Sequence, residues 1–493
     1  MMRRLFFLFI NLLWLASLSA QQDLPLRIEL EMAKDASDYH YANAGQHGVF
    51  VFYEGNSRGT DSASMIFMHY DTNLRKTYNF PITLPAQLQF VTSARTDSCL
   101  YLLFQQELSK KHPRRSVLVT ITLPTHEYTS YMIDPLSDPD IVSMKVVENH
   151  LFIRSANNKS EHLYFYNCES QQLVLFKADT TITQIEFCEP DTFNHKLWVG
   201  AVLVTGAKTA ALVLYELDYE GDVINVQPFP IYGDYFYNSA RLAVVDSAHV
   251  LVIGTYNTEQ DRYSGNLHTG VYSLPVVDSE FDVPSFYNYT QLRNRDTASV
   301  RKSKSQQSLN MQLMVGNITG NGSQFSFVTE VFYPEYNYND YNNYDPFYGG
   351  YYSMPTASTF AGYRMVNAYV TTFDAQGQLI WDHYLPFTNI LTYRLAQRVS
   401  VFFTPENYAL IYYPFNFSLT STLVDGYNVM ERMSSIDLET LQRHDVVEYS
   451  RNPRMEKWYG ESFLFSGAQY IKNTSKSARA KRYVFFLNKL EYR

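Results

Sequence analysis

The stretch AYVTTFDAQGQLIWDHYLPF, residues 368–387, reads as two short strands joined by a tight turn. Asp374 is followed three residues later by Gly377. A tight hairpin needs a local acceptor for its turn N–H groups and a residue that tolerates positive φ, and this pair supplies both. Pro386 then ends the second strand, where a missing N–H does least harm at an outer edge. ALVLYELDYEGDVINVQPFPI, residues 211–231, repeats the pattern with Asp218, Gly221 and Pro230 at matching places. Residues 65–82 and 433–449 read as weaker copies of the same hairpin.

A second kind of hairpin alternates with this one. DYHYANAGQHGVFVFYE (38–54), LQFVTSARTDSCLYLLFQ (88–105) and ARLAVVDSAHVLVIGTY (240–256) each pair a short strand with a more apolar one. Further copies fall at 141–155, 182–204, 311–332, 395–413 and 454–470, which makes eight. Two hairpins per unit give four antiparallel strands, and their radial repetition is a β-propeller. The ends fit that solution. KRYVFFLNKLEY (481–492) is a third strand without a fourth, and LPLRIELEM (24–32) is a strand without a hairpin. Pairing them completes the last blade and closes the ring. The expected fold is all-β, a single β-propeller of eight four-stranded blades, with seven as the alternative if one weak unit is an insertion.

The Asp-x-x-Gly-x-x-x-Trp of 374–381 resembles the outer-hairpin repeats of β-propellers exported by Gram-negative bacteria. It is similar in kind to the quinoprotein-dehydrogenase repeat, which carries a docking Trp in most blades. Beyond the N-terminal segment this chain has only Trp198, Trp381 and Trp458, and its Asp-to-Gly spacing is a residue short. No quinone cofactor, and no other, is therefore expected.

Residues 1–21 have the layout of a secretory signal peptide: Arg3 and Arg4, an apolar run from Leu5 to Leu18, then small residues before Gln21 and Gln22. The expected organisation is a signal peptide at 1–21 and a propeller at 22–493, with inserts at 290–310 and 334–362. The destination is periplasmic, outer-membrane-associated or secreted. No later apolar run approaches the ~18 residues of a membrane span. The net charge of -9 argues against nucleic acid as a partner.

Cys99, Cys168 and Cys188 are the only cysteines. Exported proteins built on disulfides use more, so three buried thiols are expected, with Cys168–Cys188 as the candidate pair. No metal-ligand spacing occurs, and no nucleophile elbow, phosphate loop or zinc-protease motif is present. The densest polar cluster, NTEQDRYSGNLH (257–268) with Glu259, Asp261, Arg262 and His268, reads as a solvated loop, or else as an acid/base set.

In a propeller, loops between second and third strands share one face with the blade-to-blade connections, here called the upper face. The tight turns share the other. Sorted so, Lys110, Lys111, Arg114 and Arg115 fall on the upper face. Lys159, Lys208, Arg262, Lys472, Lys476, Arg479, Lys481 and Arg482 join them, as do Arg293, Arg295, Arg301, Lys302 and Lys304 of one long connection. The tight turns instead carry acidic residues, Asp437 and Glu439 among them. Clustered positive charge on a rigid face concentrates anionic partners. The stretch NYNDYNNYDPFYGGYY (337–352) joins this face as a long insert of the sixth unit, read as irregular loop. Its rings, Tyr338, Tyr341, Tyr344, Tyr348, Tyr351 and Tyr352, are suited to recognition because Tyr offers large rigid area at low entropic cost. The expected function is non-enzymatic: a binding or scaffold subunit, such as one of an envelope assembly, that meets an extracytoplasmic protein or an anionic glycan or lipid headgroup. The alternative is a glycan-active or other hydrolase with its site at the central channel.

Overall fold

The computed structural model describes residues 26–32, 39–55, 62–106, 115–133, 140–178, 180–204, 210–258, 267–296, 309–310, 312–337, 340–345, 350–355, 359–415, 417–475 and 481–491. Eight antiparallel blades follow one another in a ring. Blades 1 to 7 occupy 40–85, 88–132, 140–175, 182–228, 235–288, 312–392 and 400–437, and blade 8 takes 445–491 together with Arg27–Met32. In each the first strand is innermost. Blade 5 departs slightly, because its inner edge is split into Tyr235–Tyr237 and Arg241–Val244 and its outer edge into Glu280–Phe281 and Ser285–Asn288. Among the described residues no helix is long and apolar enough to cross a membrane.

The burial of each strand follows from its place in the ring. The second strands lie between two neighbouring blades, so both faces are covered and the sequence reads as a continuous apolar run. Val49–Glu54 and Cys99–Gln106 have no exposed residue, and Val49 to Phe52 and Leu100 to Gln105 are buried. Outer strands meet water; Asn428–Asp437 is exposed at every position. The core is accordingly divided into layers between blades. Phe50, Phe52 and Phe67 of blade 1 pack with Leu102 and Phe104 of blade 2. Val328 and Trp381 of blade 6 pack with Val401 and Ile411 of blade 7. Trp458 and Leu464 of blade 8 meet Val49 and Val51 of blade 1, which completes the circle.

Closure uses the expected pairing. Arg27–Met32 lies antiparallel to Lys481–Glu491, with Arg27 opposite Asn488 and Met32 opposite Tyr483. A buried polar network fastens it. The Arg27 guanidinium donates to Glu29 at 2.7 Å, Asn488 at 2.8 Å and Gln469 at 2.6 Å. Arg482 donates to both Glu29 and Asp445. Glu29, Arg482, Gln469 and Asp445 stand on four different strands, so the network crosses the whole blade. Trp458 adds a tie to blade 1, donating from Nε1 to the Gly48 carbonyl at 3.0 Å.

The two Asp-x-x-Gly turns do more than reverse the chain. Asp218 accepts from the N–H groups of Glu220, Gly221 and Asp222, and Asp374 from those of Gln376 and Gln378. Each glycine has positive φ and sits against the preceding blade: Gly221 on the Phe165 ring, Gly377 on Pro275 and Leu251.

Three expectations need correction. Residues 433–449 do not form a hairpin. Asn428–Asp437 is the outer strand of blade 7 and Asp445–Lys457 the inner strand of blade 8, so Asp437 and Glu439 belong to the upper face. The outer hairpin of blade 7 turns instead at Gly426, whose φ is 59°. Arg482 is not a loop cation but is buried in the closure network. The Tyr-rich insert contains regular structure, since Asp340–Asp345 pairs with Gly350–Pro355 as a two-stranded ladder. The three cysteines are free, as expected, and half-buried.

Candidate functional site

Among the described residues, blade 6 has the longest strands of the ring. Its middle strands, Gln324–Asn337 and Thr359–Asp374, are 14 and 16 residues long, and the corresponding strands of blade 3 are 7 each. Pairing runs without a break in the chain from Gln324 opposite Asp374 to Asn337 opposite Thr359, through bulges near Val331 and Glu335. The outer strand Leu379–Thr392 follows it as far as Tyr363 opposite Thr392. The part beyond the bulge at Val331 spans roughly 20 Å at ~3.3 Å per residue. The Asp340–Asp345 and Gly350–Pro355 ladder continues this arm in sequence.

The described base of the arm is aromatic and solvent-facing. Tyr333, Tyr336 and Phe360 are each at least 40% exposed, and Tyr393 on the adjoining connection is 74% exposed. The Phe360 ring lies 5.8 Å from Tyr336 and 5.0 Å from Tyr363, edge-on in both cases. Arg364 clamps Glu335 through two hydrogen bonds of 2.6 and 2.8 Å across the same strands. That pair holds the Glu335 carboxyl below its usual range by direct hydrogen bonding. Exposed rings carried on paired strands offer large contact area at low conformational-entropy cost.

The sequence-predicted residues stand as follows. Tyr341, Tyr344, Tyr351 and Tyr352 lie on the two strands of the ladder, with Tyr344 opposite Tyr351. Tyr338 and Tyr348 lie outside the described residues, as do Lys110, Lys111, Arg114, Arg301, Lys302 and Lys304. Arg295 is on the helix Tyr289–Asp296 after blade 5, and Arg115 is exposed where the third strand of blade 2 begins. Lys159, Lys472 and Lys481 are exposed at the upper ends of their blades. Of the 257–268 cluster only Asn257, Thr258, Leu267 and His268 are described. Burial pushes His268 down to about 4, and its Nδ1 is 3.3 Å from the Asn238 amide.

A second site, not foreseen, lies on the axial side of blades 8, 1 and 2. The inner strands His40–Asn43, Leu88–Arg95 and Asp445–Lys457 border an open-sided cavity of about 340 Å³. Tyr41, Arg95, Arg454 and Glu456 line it. An adjoining cavity of about 210 Å³ shares Tyr41, Phe90 and Arg454 and adds Arg394 and Arg451. Burial pushes the Glu456 carboxyl up to about 7, against the opposing pull of Asn43, Tyr41, Arg454 and Arg95. Its Oε1 is buried without a hydrogen-bond partner. Burial and the Glu456 charge together raise the Tyr41 hydroxyl well above its ordinary value. Among the residues lining the 340 Å³ cavity Glu456 is the one carboxylate, beside two arginines. Among the described residues no cluster of three His, Cys, Asp or Glu is placed to hold a metal ion.

A related device repeats between blades. Gln105 accepts from Ile141 N–H, Glu161 from Ile185 N–H at 2.8 Å, Glu186 from Ala240 N–H, and Glu330 from Arg398 and Val399 N–H at 2.7 and 2.6 Å. In each case a side chain of one blade satisfies the inner strand, or the approach to it, of the next. Such bonds prevent the ring's inner edge from burying unpaired N–H groups.

No protein-family profile and no curated protein sequence matches the chain. Solved structures resemble it in fold at low similarity. The β-propeller domain of the Trilobed protease from Pyrococcus furiosus matches at TM-score 0.41 and 8% identity over 82% of this chain and 95% of that one. A puromycin-hydrolyzing peptidase of Mycobacterium tuberculosis matches at TM-score 0.42 and 9% identity, over 82% of this chain and 54% of the peptidase. A eukaryotic initiation factor matches at TM-score 0.39 and 10% identity over 94% and 91%. The chain is a β-propeller of eight blades.

Proposed function

We propose that this propeller is an exported, non-enzymatic binding subunit that holds a partner protein against the arm of blade 6 and the basic upper face around it. The observation that carries the reading is the arm: long paired strands that present Tyr333, Tyr336, Phe360 and Tyr393 to solvent. A pre-paired aromatic surface is what a docking site needs, because little further ordering is lost on binding. Export rests on the signal-peptide layout of residues 1–21, and kinship with exported propellers of Gram-negative bacteria on the Asp-x-x-Gly hairpins. An acidic partner, or an anionic glycan or headgroup beside it, would suit the lysines and arginines of the upper face.

The test is a pull-down from envelope extract with two proteins beside the native one. In the first, Asn337 is joined to Thr359 through an Asn-Gly turn, which preserves the register of the arm's base. In the second, Phe360→Ser and Tyr393→Ser remove exposed rings. Loss of the same partner from both, with unchanged melting temperature, is expected. Identical partner sets from all three would overturn the reading. Sequencing the N-terminus of the envelope-derived protein should begin at Gln21 or Gln22; a start at Met1 would refute export by signal cleavage.

A further inference from the structure

The axial cavity is separate from the arm and has its own chemistry. Two guanidinium groups from different blades, Arg95 and Arg454, border the same 340 Å³ space as one carboxylate, Glu456. The Arg95 guanidinium lies close over Gly45, the first residue of the turn between the first two strands of blade 1. With Arg394 and Arg451 bordering the adjoining space, the local charge is strongly positive. A planar, bidentate donor such as Arg is matched to a carboxylate. Asn43 and Tyr41 act on the Glu456 carboxyl, yet its Oε1 is buried and has no hydrogen-bond partner, which leaves one acceptor open to a donor from a ligand. Phe90 and Tyr41 supply flat ring surface on the same walls. The volume is at the small end of ligand pockets, adequate for a molecule the size of one or two sugar rings.

We propose that this cavity binds a small hydroxy acid of the uronic-acid kind, its carboxylate on Arg95 and Arg454, a hydroxyl donating to Glu456, and its ring face on Phe90 and Tyr41. The ligand carries an acid because arginines outnumber carboxylates, and hydroxyls because the orphaned acceptor needs a donor. It is either a free acid or the end of an acidic polysaccharide. Other charged or titratable groups facing Glu456 are Arg95 on blade 2, Tyr41 on blade 1 and Arg454 on its own strand, with His40, Arg394 and Arg451 around the adjoining space.

Isothermal titration calorimetry at pH 6 with D-glucuronate, tetragalacturonate and D-glucose tests the assignment. One or both acids should bind about tenfold or more tighter than glucose, the scale of one ion pair gained. Binding of the monomer assigns a free acid, and binding of the tetramer alone assigns a polysaccharide end. Arg95→Gln should abolish the preference for acid over neutral sugar while leaving the melting temperature in place. Between pH 6 and pH 8 the native affinity for the acid should fall by about tenfold as Glu456 ionises, and in Glu456→Gln it should stay level despite His40. No preference over glucose, an unaltered preference in Arg95→Gln, or the same pH dependence in Glu456→Gln would each overturn the proposal.

Discussion

Arg482 donates through Nη2 to Glu29, 2.7 Å away in space and 453 residues distant in sequence. The same guanidinium serves Asp445, whose side chain is fully enclosed. Burial works to raise the Asp445 carboxyl, but hydrogen bonds from Arg482 and Asn473 outweigh it and hold it below its ordinary value. Arg482→Met leaves the enclosed Asp445 without its cation and Glu29 with Arg27 alone. The expected loss is roughly 3–5 kcal/mol in urea unfolding at pH 7, as for other broken buried pairs. A group with a depressed pKa contributes stability above its unfolded value and loses it as pH falls through the folded one. The gap between native and variant should therefore narrow in acid below about pH 4.

Glu330 shows the opposite sign. Burial raises its carboxyl to about 7, although two backbone N–H groups and Arg398 favour the charge. Stability from such a group is complete below the unfolded pKa and is lost as pH rises through the folded one. Glu330→Gln keeps an acceptor for Arg398 and Val399 N–H without the charge. The variant should be more stable than the native protein at pH 8, by roughly 1–3 kcal/mol, and equal to it near pH 4. Thermal unfolding across pH 4–8 measures both limbs.

Gly377 and Gly426 both have positive φ, 77° and 59°, but different surroundings. A Cβ at 377 would meet Pro275 at 3.1 Å and Leu251 and Ser273 at 3.2 Å, and at 426 it would meet nothing within 4 Å. Gly426→Ala should cost only the backbone strain, about 1–2 kcal/mol. Gly377→Ala should cost more, because it also pushes blade 6 away from blade 5. Chemical denaturation of the two variants compares them directly, and equal losses would mean that the docking contact is slack.

The thiols give a chemical check on the fold. Burial pushes Cys188 up to about 12 and Cys168 up to about 11. Both should react slowly with a disulfide reagent at pH 8 in the native protein, because the thiolate is the nucleophile. All three thiols should titrate after unfolding in guanidinium without reductant. A count of one would require the Cys168–Cys188 bridge.

The ring was legible in the sequence because strand alternation and turn chemistry are local signals. All eight inner hairpins, and the pairing of Arg27–Met32 with the C-terminal strand, follow from them. The outer strand of blade 7 was missed for an equally local reason. Exposed along its length, Asn428–Asp437 shows no apolar alternation, and its turn at Gly426 lacks the Asp-x-x-Gly spacing. The acidic residues after it imitate a turn where the chain merely crosses to the next blade. In the insert, Asn, Asp and Gly read as irregular loop and concealed the pairing of Tyr344 with Tyr351. Arg482 looked like one more loop cation because charge in sequence carries no depth. The axial site had no local signal at all. Tyr41, Arg95 and Glu456 come from three blades and meet only when the ring closes.

Blade 8 draws its outer strand from the start of the chain, and this sets an order on assembly. The segment made first has its place completed last. Until residues 481–491 are available, seven blades can stack as a horseshoe, with Arg27 and Glu29 carrying charge that has nowhere to bury. The ends of that horseshoe are the uncovered apolar faces of blades 1 and 7, surfaces prone to join another copy. Joining ends so far apart in the chain is entropically slow. A C-terminal truncation before residue 481 should thus yield open, polymerising rings rather than a smaller monomer, and the closure network is as much a guard against self-association as a source of stability.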